Sequence, residues 1–264
     1  MGRITERRRV ERWNGDLRDA RVDTLAVEEP LEIRVDGRAL TVTMRTPGAD
    51  FDLVAGFLLS EGVIGASEDL VAMKHCGDDD YNVVDVRLAV PYEGPERSFL
   101  TSSACGVCGK SSIEELACRA RWNLSDDETR VSAETLRGLP ETLREAQRVF
   151  SRTGGLHAAG LFSASGELLC LREDVGRHNA VDKVVGHSLR EGLLPLRGHV
   201  LLVSGRASFE LTQKAWTAGI PVLAAVSAPS SLAASLAEEA GLTLVGFLRP
   251  PTFNVYTGGD RICQ

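Results

Sequence analysis

The most constraining feature of this sequence is a series of short apolar segments, separated by helical stretches, in its second half. Residues 199–203 and 221–226 are each followed by a Ser-containing turn and a stretch with helical spacing, and residues 242–247 form a third apolar segment. Short apolar segments bounded by turns are typical of buried strands. Because these strands alternate with helices, they predict a parallel sheet with right-handed helical crossovers. Two more strands are predicted upstream, at residues 156–162 and 168–171.

The first half shows the alternation of half-buried β-strands. Apolar and polar residues alternate through residues 31–35 and again through 40–44, on either side of Asp36-Gly37. This turn sequence is a strong signal for a β-hairpin. Residues 84–90 alternate in the same way. We therefore predict an α/β protein, α+β overall, with a β-rich N-terminal half and an α/β C-terminal half.

The predicted division of the chain has three parts. Residues 1–24 have the composition of a polar N-terminal lead, residues 25–130 form a β-rich domain, and residues 131–264 form the α/β domain. Within the last of these, the spacing of apolar residues predicts a helical hairpin in which a second helix starts at Pro140.

The charge and composition exclude several classes of function. The chain has 264 residues, a formal net charge of −7 and a pI of about 5.4. Nucleic-acid-binding proteins are usually basic, so no nucleic-acid partner is expected. No apolar stretch approaches the roughly 18 residues of a membrane span, and the Arg-rich start lacks the apolar core of a signal peptide. We expect a cytoplasmic protein without a membrane partner, in which the six cysteines are mostly thiols.

A CxxC pair, Cys105 and Cys108, lies in a segment of Gly, Ser and Lys residues at positions 101–112. Two overlapping capping-box patterns predict that a helix begins at about Ser112. A helix N-terminus and the neighbouring positive charge of Lys110 lower a thiol pKa from about 8.5 to somewhere within about 3.5–7.5. At least one of these cysteines is therefore predicted to work as a thiolate.

The residues alone leave several chemistries open for this pair. A structural zinc site needs four ligands, so His75, Cys76 or Cys118 would have to supply the others. A dithiol oxidoreductase normally places its CxxC at a helix start within a βαβ unit. A sulfur carrier would use the thiolate to take the outer sulfur of a donor persulfide. A phosphate-binding P-loop is disfavoured because no later apolar strand ends in the Asp that would help to hold magnesium.

A second candidate site is predicted at the carboxyl ends of the parallel strands, where open α/β sheets bind ligands. Two of these turns precede predicted helices, whose N-terminal N–H groups can bind phosphate. The pattern predicts a nucleotide-like or phosphate-bearing ligand, and the alternative is that these are ordinary cap and turn residues. The turns are Ser204-Gly205-Arg206, Ser227 to Ser230, and Phe247-Leu248-Arg249.

Several blocks of the sequence, taken in order, resemble the formate dehydrogenase accessory sulfurtransferase (FdhD) family. The resemblance extends from about Val27 to Thr257. The blocks that carry it include Ser103-Ala104-Cys105-Gly106-Val107-Cys108-Gly109, Thr153-Gly154-Gly155-Leu156-His157-Ala158-Ala159, and Glu173-Asp174-Val175-Gly176-Arg177-His178-Asn179-Ala180-Val181-Asp182-Lys183.

The resemblance implies a cytoplasmic sulfurtransferase. Such a protein accepts sulfur from a cysteine desulfurase and passes it to the molybdenum bis(molybdopterin guanine dinucleotide) cofactor before that cofactor enters formate dehydrogenase. The molybdenum cofactor is then a bound substrate, and GDP is expected to mimic part of it. The resemblance also implies a homodimer and a cytidine-deaminase-like C-terminal half without zinc chemistry.

The same resemblance assigns roles to individual residues. Cys105 is similar to the family's persulfide carrier, with Cys108 as its partner. Independently of the resemblance, the positive charge of Lys110 is expected to help activate the thiolate. Two prolines in the cofactor-contacting stretch lack backbone N–H groups, so those two positions cannot donate backbone hydrogen bonds. That stretch reads Phe247-Leu248-Arg249-Pro250-Pro251-Thr252. No resident metal site is expected.

Overall fold

The computed structural model describes residues 3–76, 81–92 and 121–264. The predicted helix at Ser112 and the whole CxxC segment lie outside these ranges. The described chain is a mixed α/β fold with two principal sheets, one in each half of the sequence.

The first folded element is an antiparallel hairpin of β1 (Thr5–Asn14) and β2 (Leu17–Ala26). The sequence predicts only a polar lead for residues 1–24, and the segment is indeed polar and mostly exposed. It is nevertheless paired into strands. Arg8 lies directly opposite Asp23 in the register, and opposite charges across an antiparallel pair stabilise it. Apolar alternation cannot reveal a hairpin of this kind.

The smaller principal sheet has the strand order β4-β3-β6-β5. The predicted hairpin is confirmed, since Asp36 and Gly37 have φ values of 50° and 79°, as a tight turn between right-twisted strands requires. A helix, α1 (Asp50–Ser60), follows the hairpin. The strands are β3 (Glu29–Val35), β4 (Arg38–Arg45), β5 (Leu70–His75) and β6 (Val83–Leu88).

The larger sheet has six strands in the order β13-β12-β11-β10-β8-β9. The predicted parallel arrangement of β10, β11 and β12 is confirmed, and β8, β9 and β13 add to it in antiparallel fashion. The elements of this half are β7 (Val131–Ser132), α2 (Ala133–Ala146), α3 (Phe150–Thr153), β8 (His157–Ser163), β9 (Leu168–Asp174), α4 (Arg177–Arg190), β10 (His199–Val203), α5 (Phe209–Thr217), β11 (Val222–Ala225), α6 (Ser231–Glu239), β12 (Thr243–Arg249), β13 (Thr252–Thr257) and β14 (Ile262–Cys263).

The helical hairpin predicted around Pro140 is wrong, because Pro140 lies inside the single helix α2. A proline in a helix interior costs about 3 kcal/mol or more. Leu136, Leu139 and Leu143 are buried on one face of α2, so packing of that face outweighs the cost.

The two sheets share one hydrophobic core. Leu31 and Val84 of the small sheet belong to the same buried cluster as Leu201 and Leu223 of the large sheet. The helices α1 and α4 pack against each other, α1 contacts β6, and α4 contacts β8 and β9. The domain boundary predicted near residue 130 stays a prediction, as does the likeness of the C-terminal half to cytidine deaminases. No helix among the described residues is long and apolar enough to cross a membrane.

A buried ion pair also links the two halves. Asp174, at the end of β9, is fully buried and lies 2.7 Å from the ammonium group of Lys183 on α4. The backbone N–H of Thr46 donates to Asp174, and Lys183 donates to the Thr46 carbonyl. Asn179 lies in the first turn of α4 and donates from its side chain to Asp174 and to the carbonyl of Met44. Complete bonding of this kind offsets the cost of burying both charges.

Candidate functional site

The carboxyl ends of the three parallel strands meet along one edge, as the sequence predicts. The N–H of Val226 donates to the Val203 carbonyl at 3.1 Å, and the N–H of Ser227 donates to the Gly205 carbonyl at 3.2 Å. The N–H of Phe247 donates to the Ser227 carbonyl at 3.1 Å. These backbone bonds bring the three predicted turns together, and we call these turns the strand-end edge. Its members are Ser204, Gly205, Arg206, Ser227, Phe247, Leu248, Arg249, Pro250, Pro251 and Thr252.

The residues of the last turn differ in how far their side chains are exposed to solvent. Phe247 has a φ of 51°, in the left-handed region, and its side chain is 41% exposed. Leu248 is fully buried among apolar side chains, so only its backbone is available to a ligand. Arg249 is exposed, and its Nε donates to the Val226 carbonyl at 2.9 Å. Pro250 and Pro251 are exposed at the turn into β13.

Thr252 and Arg206 complete the predicted residues, and both are exposed. Thr252 is the first residue of β13 and pairs with Arg249 across the turn. Ser204 is only partly exposed, and its Oγ accepts a hydrogen bond from the Ala158 N–H at 2.9 Å. The edge therefore combines exposed side chains on two turns with a hydroxyl that β8 holds in place.

A cleft of about 620 Å³ opens beside the strand-end edge. It lies between α2, α3, the Gly154-Gly155 turn and the ends of β10 and β11, and it was not predicted from the sequence. Its volume is within the range typical of small-molecule sites. The residues that define it include Leu143, Gln147, Phe150, His157, Ser204 and Val226.

His157 lines this cleft and faces Gly205. A Cβ at Gly205 would lie 3.4 Å from the His157 Nδ1, so a larger residue there would crowd the imidazole. Burial lowers the pKa of His157, and the neighbouring Arg177 and His178 lower it further, while Asp174 acts in the opposite direction. The imidazole is therefore neutral at pH 7, since its ordinary pKa of about 6.5 is already below that pH.

The charged block from Glu173 to Lys183 is mainly structural where its contacts are described. Both carboxylate oxygens of Glu173 accept backbone N–H groups at the start of α3, from Val149 and Phe150. The Nε2 of His178 lies 2.5 Å from the Glu210 carboxylate, which joins α4 to α5. The sequence gives no sign of these partners because they are distant along the chain.

The described residues also bear on the zinc alternative. No group of three His, Cys, Asp or Glu side chains that could hold a metal ion occurs within residues 3–76, 81–92 and 121–264. His75, one of the residues considered as a ligand, stacks on Phe51 with ring centroids 4.9 Å apart. Cys105, Cys108, Lys110 and Cys118 lie outside the described residues, so their predicted roles stay predictions.

The fold and its strand-end edge define a mixed α/β protein whose parallel strands end in exposed polar turns beside a cleft. The chain belongs to the FdhD/NarQ family, whose model matches residues 26–263. The resemblance found in the sequence is thereby confirmed at the level of the family.

Individual relatives cover nearly the whole chain. The sulfur carrier protein FdhD of Mycolicibacterium paratuberculosis is 58% identical over 98% of this chain and 99% of its own length. The protein of the same name from Mycobacterium tuberculosis is 55% identical over 99% of this chain and 100% of its own. A crystal structure from Desulfotalea psychrophila, described provisionally as a formate dehydrogenase accessory protein, matches with a TM-score of 0.80 at 24% identity. It covers 99% of this chain and all of its own, and it shows the fold.

Proposed function

We propose that this protein is a sulfur carrier that serves formate dehydrogenase. The observation that carries the proposal is the identity of 55–58%, over 98–99% of the chain, with proteins named sulfur carrier protein FdhD. The CxxC pair supplies thiols for such a role, and the strand-end edge supplies a surface suited to a phosphate-bearing ligand.

The proposed sulfur donor is the persulfide of a cysteine desulfurase. The thiolate of Cys105 attacks the outer sulfur of that persulfide, a new S–S bond forms on Cys105, and the desulfurase cysteine leaves as a thiolate. No external oxidant is needed, because one S–S bond replaces another. Lys110 favours the Cys105 thiolate by its positive charge, and Cys108 is the partner thiol of the same motif.

The proposed acceptor is the molybdenum bis(molybdopterin guanine dinucleotide) cofactor, which is the substrate of the protein and not a resident group. We propose that its phosphates bind at the strand-end edge, because Ser204, Gly205, Arg206 and Ser227 lie on turns before helices α5 and α6. The edge also carries Phe247, Arg249 and Thr252, whereas Leu248 contributes only its backbone and Pro250 and Pro251 lack N–H groups. We further propose that the protein is a cytoplasmic homodimer. It transfers the cofactor, after sulfur has been added, to formate dehydrogenase.

The direct test is persulfide formation on the purified protein. Incubation with a cysteine desulfurase and cysteine should add about 32 Da, one sulfur atom, to the peptide that contains Cys105. Metal analysis of the same sample separates this function from the zinc-binding alternative. Stoichiometric zinc together with a CxxC pair that resists alkylation would contradict the sulfur-carrier proposal.

Arg249 provides a prediction for the strand-end edge. The Nε of Arg249 donates a hydrogen bond to the Val226 carbonyl, and this bond orients the guanidinium group. The other N–H donors of the guanidinium are left for a phosphate. Arg249→Ala should weaken GDP binding by about 1.5–3 kcal/mol, as expected for a hydrogen bond to a charged group. Isothermal titration calorimetry measures this change. Arg137→Ala, on the exposed face of α2, is the matched control and should bind GDP as the wild type does.

A further inference from the structure

The hairpin of β1 and β2, which we call the arm, has two faces of different charge. Residues opposite each other in an antiparallel pair share a face, and the faces alternate along each strand. The register therefore puts three arginines and three carboxylates on one face of the arm. The other face carries three arginines and a single carboxylate, Glu11. We call these the balanced face and the basic face.

The arginines of the balanced face have carboxylates across from them. Arg8 lies opposite Asp23 in the register. Arg12 lies opposite Asp19 in the same way. Opposite charges across an antiparallel pair attract each other, so these arginines mainly serve the hairpin itself.

The basic face lacks this arrangement. The residues opposite Arg7 and Arg9 carry no charge. The carboxylate of this face, Glu11, is ion-paired with Arg18. Neither Arg7 nor Arg9 forms an ion pair with any residue in the ranges 3–76, 81–92 and 121–264. Two positive charges on this face are therefore left for a partner.

The basic face continues into a cleft of about 580 Å³ at the root of the arm. One of the two glutamates of this cleft, Glu29, is bonded to the buried Arg45 at 3.2 Å. Three arginines thus share the cleft with one other carboxylate, and positive charge is in excess at the root of the arm as well. The charged residues of the lining are Arg3, Glu6, Arg7, Glu29 and Arg152.

The tip of the arm adds apolar surface to the basic face. Every residue from 11 to 22 is exposed. Trp13 is 63% exposed and Val22 is 64% exposed, and both lie on the basic face. Trp and Arg side chains often supply most of the binding energy of a protein interface. A two-stranded hairpin is only marginally stable by itself in water, so a protein surface that covers this face would stabilise the arm.

The charge of the whole chain indicates the chemistry of the partner. The formal net charge of the chain is −7, so an acidic protein is repelled by the chain as a whole. The basic face is a local exception, and an acidic surface is attracted to it. Such a contrast steers an acidic partner to one face and fixes its orientation.

The arm lies next to the cleft at the strand-end edge. Helix α3 borders both clefts, since Phe150 lines the one at the strand-end edge and Arg152 lines the one at the root of the arm. The Cβ of Ala26 would lie 3.7 Å from a Cβ added at Gly155, which also lines the cleft at the strand-end edge. A protein that collects a ligand from this edge therefore approaches it beside the arm.

The arm also lies outside the part of the chain that the family model matches. That match begins at residue 26, where β2 ends. An element added to the shared part of the family suits a role in partner recognition better than a role in the proposed sulfur chemistry.

We propose that the basic face of the arm binds an acidic surface of the protein that receives the substrate after sulfur has been added. The inference rests on the proposed function for the identity of this partner, formate dehydrogenase. The contact is small and charged, which suits a transient transfer complex.

The test measures binding of the full-length protein to purified formate dehydrogenase without its cofactor, by biolayer interferometry. The variant Arg7→Gln/Arg9→Gln removes the two charges that have no partner. It should weaken binding roughly five- to tenfold in about 0.1 M salt, chiefly by slowing association. The difference should shrink in about 0.5 M salt, which screens exposed charges.

Arg8→Gln/Arg12→Gln is the matched control, because it removes two arginines from the same strand but from the balanced face. It should bind within about twofold of the wild type. Trp13→Ala should weaken binding about tenfold by speeding dissociation. Leu17→Ala is its control, because Leu17 is exposed at the tip on the balanced face, and it should bind as the wild type does.

Equal binding by Arg7→Gln/Arg9→Gln and the wild type overturns the inference. An equal loss in the balanced-face variant, or no binding by the wild type, overturns it as well. Three further results would assign the basic face to a different partner and also overturn it: a loss confined to cysteine desulfurase binding, tighter binding of a single-stranded RNA than of the dehydrogenase, or dissociation of a dimer in the double variant.

Persulfide loading of Cys105 is measured on the same variants and separates this inference from the proposed function. Normal loading with weakened binding of the dehydrogenase supports both. Normal loading with unchanged binding contradicts the docking surface alone. If Cys105 takes up no sulfur but binding of the dehydrogenase still depends on Arg7 and Arg9, the sulfur-carrier proposal fails while the docking surface stands.

Discussion

Cys105→Ala is expected to abolish the sulfur-dependent mass increase completely. The persulfide needs a sulfur nucleophile, and alanine supplies none, so no residual loading of this peptide should remain. The measurement is mass spectrometry of the intact protein and of its peptides after incubation with a cysteine desulfurase and cysteine. Delivery of sulfur to formate dehydrogenase, followed as the activity of the reconstituted enzyme, should be lost in parallel.

Two other cysteines serve as controls for this experiment. Cys170 is 7% exposed, and burial raises the pKa of its thiol, so Cys170→Ala should leave loading unchanged. Cys263 is exposed and controls for simple accessibility, since Cys263→Ala should also load normally. Full sulfur transfer by Cys105→Ala, or its loss in Cys263→Ala, would show that the persulfide belongs to a different cysteine.

Gly186→Ala is expected to lower the free energy of unfolding strongly. The helices α1 and α4 cross so closely that a Cβ at Gly186 would lie 1.8 Å from the Asp52 carbonyl oxygen and 2.5 Å from the Gly56 nitrogen. Backbone atoms of a packed helix cannot move aside as a flexible side chain can, so the two helices must separate. We expect destabilisation of about 3 kcal/mol or more, at the upper end of overpacking costs, despite the better helix propensity of Ala.

Thermal unfolding by calorimetry or circular dichroism measures this effect. At roughly 2–4 °C per kcal/mol, the melting temperature should fall by about 6–12 °C. Gly138→Ala is the matched control, because Gly138 is exposed on α2 and a Cβ added there would meet no atom within 4 Å. It should stabilise the protein by up to about 1 kcal/mol. Equal melting temperatures for Gly186→Ala and wild type would contradict the close crossing of these helices.

The sequence predicted those elements whose signal is local. The strands β10, β11 and β12 are short apolar segments between turns, and they occur where the pattern places them, in parallel. The Asp36-Gly37 hairpin also depends on two adjacent residues. The meeting of three turns along the strand-end edge followed from the parallel topology, so most of that edge could be anticipated before its geometry was known.

The features that the sequence did not reveal depend on partners far along the chain. Asp174 and Lys183, in a charged block of the sequence, bond to each other and to Thr46, which lies in the first half of the chain. The helix α2 runs through Pro140 because its buried leucines outweigh a local penalty. Gln147 had no distinguishing local pattern at all.

The sequence by itself determined the family, the parallel strands of the α/β half and the residues that line the strand-end edge, because each of these is written in contiguous motifs. Only the tertiary structure decided that α1 and α4 cross at two glycines, Gly56 and Gly186. It also decided that Asp174 forms a buried ion pair and that Gln147 lines a cleft beside Ser204. These features arise from contacts between residues remote in sequence, whose free energy depends on burial and on the separation of packed elements, and no local pattern encodes either quantity.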